Sequence, residues 1–452
     1  MQLTFLGAVH TVTGSKYLLS INSKKILVDC GLFQGYKELR LRNWDKLPVD
    51  PHSIDAVIIT HAHIDHTGYL PLLVKNGFKG KIYSSSGTKA LCSILLPDSG
   101  HLQEEEAKLA NRYGYSKHKP ALPLYTEDEA REALNHFETV DFGVRHVLFD
   151  DCSFELYRAG HIIGASFIKI KNANTSILFS GDIGRPNDSV MQPPTIIEEA
   201  DYIVMESTYG DRLHDTTNPL PQIGKVINET VKRGGSIIVP AFAVGRAQSL
   251  LYYISQLKKS GEIPDVPVYL DSPMAINASH ILCSHKNDHR LTEEQCRELC
   301  NAAKYVNTPN ESKQLDANKM PQIIISASGM LEGGRILHHF KVFAPDHKNS
   351  ILITGYQANG TRGAMVARGD SSIKVHGEQV PINAHVEVMT SGSAHADYSE
   401  MLDWLKHFKK PPKKVFITHG EHSSAISFKD HIEKELGWKC VVPDYLDKVE
   451  LS

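Results

Sequence analysis

At 452 residues the chain is too long for one ordinary core and comfortable for two domains. Its 49 Lys and Arg against 52 Asp and Glu leave a formal net charge of −3, so overall charge will not hold it to a polyanion, and any such ligand needs a local patch or a metal. The seven cysteines form no CxxC pair and their odd number argues against a disulfide framework, no apolar run reaches membrane-spanning length, and Met1-Gln2-Leu3-Thr4-Phe5-Leu6-Gly7 lacks the pattern of a secretory leader, so a soluble cytoplasmic chain is expected.

Leu3-Thr4-Phe5-Leu6 predicts a strand ended by Gly7. Ser15 to Ile21 and Lys25 to Asp29 predict a hairpin through Asn22-Ser23-Lys24. Asp29 closes the apolar run Ile26-Leu27-Val28. An acid there is costly unless paired, and orienting a metal-ligating histidine is the role that would pair it. Ala56-Val57-Ile58-Ile59 predicts a buried strand. Directly after it stands Thr60-His61-Ala62-His63-Ile64-Asp65-His66-Thr67-Gly68. Imidazole suits zinc and other late first-row metals, and a carboxylate adds charge. In an extended loop His61 and His63 project to one side, while Asp65 and His66 turn elsewhere. Donors so close in sequence are hard to aim at a single tetrahedral ion, so two adjacent ions are the easier reading.

Gly68 to Val74 starts a helix, and Lys81-Ile82-Tyr83-Ser84 predicts another strand. Residues 98–138 read as helical, with Glu104-Glu105-Glu106 on a solvated face and a capping box, Thr126 to Glu129, opening a second helix. His161 follows the run Phe154 to Gly160, and Asp182 follows Ile177-Leu178-Phe179-Ser180-Gly181. Each alone reads as structural. With the loop at 61–66 they add a further imidazole and a carboxylate able to bridge. The many strands with helices between fit a sheet sandwich covered by helices.

From 208 to 388 the pattern changes to strand–loop–helix units of a parallel sheet. Ser236 to Pro240, Val268 to Leu270, Gln322 to Ile325 and Ser350 to Thr354 each run into a loop of small residues, where open parallel sheets bind ligands. Gly329 and Gly333 allow backbone N–H groups to approach phosphate, and Arg246, Arg335 and Arg362 are planar phosphate donors. Tyr209, Phe242 and Tyr356 are candidates for base stacking, although aromatics are more often core. Cys296 and Cys300, one helical turn apart, read as buried free thiols. Trp438 to Leu451 returns to strand-like spacing and is expected to complete the first domain's sheet.

In order along the chain, Asp29, His61-x-His63-x-Asp65-His66, His161 and Asp182 resemble the first four motifs of the metallo-β-lactamase superfamily. Met205-Glu206-Ser207-Thr208-Tyr209-Gly210 resembles motif A of the β-CASP nucleases, Ser391-Gly392-Ser393-Ala394-His395-Ala396-Asp397-Tyr398 motif B, and Phe416-Ile417-Thr418-His419-Gly420-Glu421 motif C. The resemblance covers nearly the whole chain and is nearest to the nuclease subunit of the cleavage-and-polyadenylation specificity factor and its shorter prokaryotic relatives. The long N-terminal KH region of many archaeal members is expected to be absent.

The resemblance implies an α/β fold: an αββα metallo-β-lactamase sandwich from residues 1–207 and 389–452, with an inserted β-CASP domain, 208–388, on a mainly parallel sheet. It implies two zinc ions, one held by His61, His63, His161 and Asp182, the other by Asp65, His66, Asp182 and His419, with Asp182 bridging and Asp29 orienting from behind. Asp65 and Asp182 would thereby serve catalysis, His395 would protonate the leaving oxygen, Glu206 would orient His395, and Ser393 would meet a phosphate oxygen. The implied activity is hydrolysis of RNA, probed first as internal cleavage leaving 5′-phosphate and 3′-hydroxyl ends, with a 5′-to-3′ exoribonuclease or a small-molecule metallo-hydrolase as alternatives. His419 resembles the RNA-acting members, since DNA-acting relatives tend to carry an apolar residue there. Di-iron oxidoreductases of the superfamily usually place Glu where His63 stands, and non-catalytic subunits lose metal ligands. Dimers are common among relatives, so a homodimer is a partner to test, and Ser249 stands where relatives often carry an acid.

Overall fold

The computed structural model describes residues 1–114, 116–149, 151–173, 175–215, 217–355, 357, 360–389 and 392–452. They form two compact units, Met1–Leu213 with His395–Ser452, and His214–Ala394.

The first unit is a sandwich of two sheets. Among the described residues, one sheet orders its strands as Lys448–Glu450, Gln2–Phe5, Tyr17–Ile21, Lys24–Val28, Ala56–Ile58, Lys81–Ser84 and Phe137–Thr139. The other runs Cys440–Val441, Lys414–Ile417, Tyr202–Met205, Thr175–Phe179, Ser166–Asn172, Cys152–Arg158 and His146–Phe149. Phe5, Tyr17, Leu19, Ile26, Val28 and Ile58 from the first sheet share one core with Phe154, Ile168, Ile170, Ile177, Phe179 and Phe416 from the second. Burying a side chain of this size is worth about 1.5–3 kcal/mol relative to leaving it in water. Helices cover the outside. Leu91, Cys92 and Leu96 are buried on Ser86–Tyr113, and Phe428 and Ile432 on His422–Leu436.

Ala56-Val57-Ile58 pairs in parallel with a strand on either side and is buried at every position, which explains why its apolar run shows no alternation. The hairpin turns in two residues, with Ile21 paired to Lys24 and Asn22 in the left-handed region at φ 54. The capping box at Thr126 and Glu129 is present. Two expectations need correction. The long helix begins at Ser86 rather than 98, because Ser85 caps it through Thr88 N and the helix carries Pro97 inside it. It ends at Gly114, left-handed at φ 67, so the helical reading of 98–138 is interrupted before the second helix, Glu127–Ala133. The C-terminal stretch serves both sheets: Cys440–Val441 extends one and Lys448–Glu450 the other.

The second unit is built on a sheet ordered Lys304–Tyr305, Val268–Leu270, Ile323–Ser326, Ile237–Pro240, Ser350–Thr354 and His385–Met389, with every pairing among them parallel. Its buried strands read as continuous Ile- and Val-rich runs, as a sheet covered on both faces requires. A polar network lies at the carboxyl end of Val268–Leu270. Asp271, fully buried, accepts from Arg335 Nη1 at 2.6 Å and from Ser312 Oγ at 2.5 Å, and its Oδ2 lies 2.7 Å from His339 Nε2. The other nitrogen of His339 is 2.6 Å from Asp316. A buried acid is tolerable when it is satisfied this completely. Among the described residues, no helix is long and apolar enough to cross a membrane.

Candidate metal centre

The site is assembled within the first unit, at the ends of strands from both sheets. Ala56–Ile58 delivers the histidine-rich loop. His63 stands at the N-cap of a short helix, Ile64–Thr67, and that turn carries Asp65 and His66 away from His61 and His63. Gly31 is required by close approach: a Cβ there would fall 1.5 Å from the Asp65 carbonyl oxygen. The neighbouring backbone locks the loop, with Cys30 N donating to His66 O at 2.7 Å and Ser15 N to Asp65 O at 2.8 Å.

Two donor groups result. In the first, His61 Nε2 lies 3.1 Å from His63 Nδ1 and 3.4 Å from Asp182 Oδ2. His161 Nε2 lies 3.3 Å from His63 Nδ1 and 3.5 Å from Asp182 Oδ2. Tetrahedral donors at ~2.0–2.1 Å from a zinc ion lie about 3.3–3.4 Å apart, so these four atoms fit such an ion. In the second group, His66 Nε2 lies 3.0 Å from His419 Nε2, 3.7 Å from Asp65 Oδ2 and 3.3 Å from Asp182 Oδ1, while His419 Nε2 lies 3.3 Å from Asp65 Oδ2. Asp182 therefore turns one oxygen to each group. Its Oδ1 is buried and, among the described residues, accepts no hydrogen bond. A carboxylate oxygen left this way, amid imidazole nitrogens that converge on one another, is the donor arrangement a cation completes.

In the first group the electrostatics agree with that chemistry, whereas in the second burial works to lower His66 and His419 but the nearby carboxylates, Asp182 foremost, raise both. Burial, followed by repulsion from neighbouring imidazoles, lowers His61, His63 and His161, with His63 held down at about 3. These rings are neutral and offer lone pairs. Burial opposes ionisation of Asp182, but His419, His66 and His61 outweigh it and hold the carboxyl well below its usual range.

Asp29 stands behind the second group. Its Oδ2 lies 2.7 Å from His66 Nδ1, and its Oδ1 accepts from Thr60 N at 2.8 Å. The Nδ1–H of His66 is thus engaged, which leaves Nε2 as the donor toward the site. Asp29 itself is buried and left-handed at φ 57. Thr60, which composition gave no reason to single out, is the residue that joins the groups: its hydroxyl lies 2.9 Å from Asp29 Oδ2 and 3.1 Å from His61 Nδ1. Its position between the strand and the first histidine is the signal that could have found it. Thr208 Oγ1 plays the same part for His419 Nδ1, at 3.3 Å. Asp29→Asn keeps the acceptor for Thr60 but presents an amide N–H₂ to His66. We expect zinc affinity, measured by competition with a chelator, to fall about 10–100-fold. Unchanged affinity would remove Asp29 from this orienting role.

His395 sits beside the first group. Its Nδ1 is 3.2 Å from Glu206 Oε1 and its Nε2 is 3.9 Å from Asp182 Oδ2. Glu206 is in turn fixed by Ile183 N, 2.7 Å from the same oxygen, and by Thr208 N at 3.3 Å from the other. Burial works to lower the imidazole, yet Glu206 and then Asp182 raise it to about 9.

Comparison with known proteins gives three family matches in succession. Residues 12–220 match the metallo-beta-lactamase superfamily, 247–366 the Beta-Casp domain, and 379–443 the Zn-dependent metallo-hydrolase RNA specificity domain. The chain is 32% identical to Ribonuclease TTHA0252 of Thermus thermophilus, over 94% of this chain and 95% of that protein. The chain belongs to the β-CASP family of the metallo-β-lactamase superfamily. It is also 32% identical to an RNase J-like protein of Methanocaldococcus jannaschii, over 98% of this chain and 97% of that one. Transcription termination factor FttA of Thermococcus kodakarensis is 31% identical over the full chain, which spans 72% of that longer protein. A crystal structure of a protein of unknown function from Enterococcus faecalis shares the fold, with a TM-score of 0.52 at 12% identity over 99% of each chain.

The other sequence-predicted residues of this β-CASP protein have surroundings of their own. Arg246 opens the helix Arg246–Ser260, is buried, and packs where Gly392 and Gly355 leave room: a Cβ on Gly392 would fall 2.5 Å from its Nη1. Arg335 is tied to Asp271 and to the carbonyls of Val306 and Asn307. Arg362 donates to Lys374 O and Leu331 O. Gly329 lies under Phe242, whose ring atoms a Cβ would meet at 2.8 Å, whereas Gly333 has open space around it. Ser393 is buried, and Tyr209 is buried with its ring 6.1 Å from that of His395. Ser249 donates to Gly245 O within its own helix turn. Tyr356 and the Ser391 of motif B lie outside the described residues.

Proposed function

We propose that the protein is a ribonuclease that uses two zinc ions to hydrolyse RNA phosphodiester bonds internally, leaving 5′-phosphate and 3′-hydroxyl ends. The observation that carries this reading is Asp182 shared between two donor groups, with the His395–Glu206 pair beside it. Membership of the family and the name of Ribonuclease TTHA0252 support RNA as the polymer.

Bound by His61, His63, His161 and Asp182 on one side and by Asp65, His66, His419 and Asp182 on the other, two zinc ions would supply Lewis acidity toward the phosphoryl group and the attacking water. The chain's own residues then do three things. Asp29 and Thr60 hold His66 and His61 in orientation. His395 gives the proton of Nε2 to the departing 3′ oxygen, while Glu206 holds Nδ1 and keeps the ring aimed. In the second unit, Ser393, Arg246, Arg335 and Arg362 are candidate phosphate contacts, with Gly329 and Gly333 leaving room for a phosphate to approach the backbone.

The test is one RNA labelled at either end, beside the same sequence as DNA, with zinc-loaded protein. Internal fragments from both labels on RNA are the expected result. Mononucleotides released only from the 5′ label would replace this reading with a 5′-to-3′ exonuclease, and no cleavage of either polymer with the metals bound would replace it with a small-molecule hydrolase. Sedimentation of the same sample tests the homodimer that the family resemblance suggests.

A further inference from the structure

The second unit contains a pair of sulfurs that the proposed reaction does not use. Cys283 lies on the last turn of the helix Pro273–Ser284, and Cys300 on the last turn of Glu293–Asn301. Their Sγ atoms are 3.3 Å apart. Helical spacing points to Cys296 as the neighbour of Cys300, but Cys296 is buried and turns its sulfur to His289 Nε2, at 3.9 Å. Cys283 and Cys300 are both half-buried, while the other four cysteines, Cys30, Cys92, Cys152 and Cys440, are buried.

We infer that Cys283 and Cys300 are a peroxide-responsive pair that closes reversibly into an intrachain disulfide. The two sulfurs are in hydrogen-bond contact, and that contact lowers Cys300 to about 6 against the opposing effect of burial and raises Cys283. With Cys300 as the attacking thiolate, Cys283 is the resolving thiol. In the first step the Cys300 thiolate attacks one oxygen of hydrogen peroxide. An S–O bond forms, the O–O bond breaks, and hydroxide leaves, giving a sulfenic acid. In the second step Cys283 sulfur attacks Cys300 sulfur, forming the S–S bond and breaking S–O. The proton of Cys283 and the departing hydroxyl leave as water. The two sulfurs together lose two electrons, and the peroxide is reduced to water. The bond joins the ends of the two helices around the segment 284–299, from sulfurs that stand 3.3 Å apart.

The experiment treats the full wild-type chain with hydrogen peroxide, blocks remaining thiols, and maps the peptides by mass spectrometry. The expected product is a peptide with Cys283 joined to one with Cys300, lighter by two hydrogens, lost on dithiothreitol treatment and retained in Cys296→Ser. Cys283→Ser is expected to lose the link and to accumulate sulfenic and sulfinic acid on Cys300. A Cys296–Cys300 link, a link between chains, or full alkylation of Cys283 and Cys300 after peroxide would overturn the proposal. None of these readings depends on nuclease activity.

Discussion

Asp182→Ala is expected to abolish cleavage and to strip metal from both donor groups, because a single carboxylate serves each of them. Its Oδ2 lies within 3.4–3.5 Å of His61 and His161, and its Oδ1 within 3.3 Å of His66. Removing it takes the charge that burial has been made to tolerate and leaves rings whose nitrogens stand 3.0–3.3 Å apart with nothing between them. The loss of zinc affinity should exceed the ~10–100-fold penalty of removing a group that only orients a ligand, so Asp182→Ala must be worse than Asp29→Asn. Asp182→Asn preserves shape and one carbonyl oxygen, and is expected to retain metal in one group while losing the other. Metal content by elemental analysis, on protein shown to be folded by circular dichroism, decides the matter. Two tightly bound ions in Asp182→Ala would refute the bridging role.

The parts of this fold legible in sequence are those where burial writes a simple pattern. Ala56-Val57-Ile58 is apolar throughout because it is enclosed throughout, and the parallel strands of the second unit read the same way. The helix Ser86–Tyr113 was less legible because Pro97 reads as a helix boundary, although the flanking residues Leu96 and Gly100 are buried firmly enough to carry it. Side-chain partners far apart in sequence leave no local trace. Asp29 and His66 are separated by 37 residues, and the acid ending a strand was the sole hint of their contact. Arg335 looks like a free phosphate donor until Asp271, 64 residues away, is seen to hold it. Cys300 has a partner at helical spacing in sequence and a different one in space, because the chain turns between two helices and brings Cys283 back to it. The clustering of His61, His63, His161 and Asp182 depends on motif order as much as on chemistry, since neither His161 nor Asp182 has a local pattern of its own.

For His395→Ala the expected signature is the reverse of that for Asp182→Ala: metal is kept and turnover is lost. His395 stands outside the two donor groups, held by Glu206 at 3.2 Å and 3.9 Å from the nearest oxygen of Asp182. A proton donor to a leaving alkoxide contributes about 10²–10⁴-fold, or about 2.7–5.4 kcal/mol of the barrier, so turnover on RNA should fall by that factor. The role is separable from mere shape by changing the leaving group. A nitrophenyl phosphodiester expels a stabilised phenolate that needs no proton, and the variant should lose much less activity on it than on RNA. Glu206→Gln keeps a hydrogen-bonding group opposite Nδ1 but not its charge, and should show the same selective loss to a smaller degree. An equal loss on both substrates would make His395 a residue that positions the phosphate, and loss of zinc from His395→Ala would make it part of the metal centre. Either result would end its assignment as the acid, while leaving the shared carboxylate of Asp182 to be judged on its own measurement.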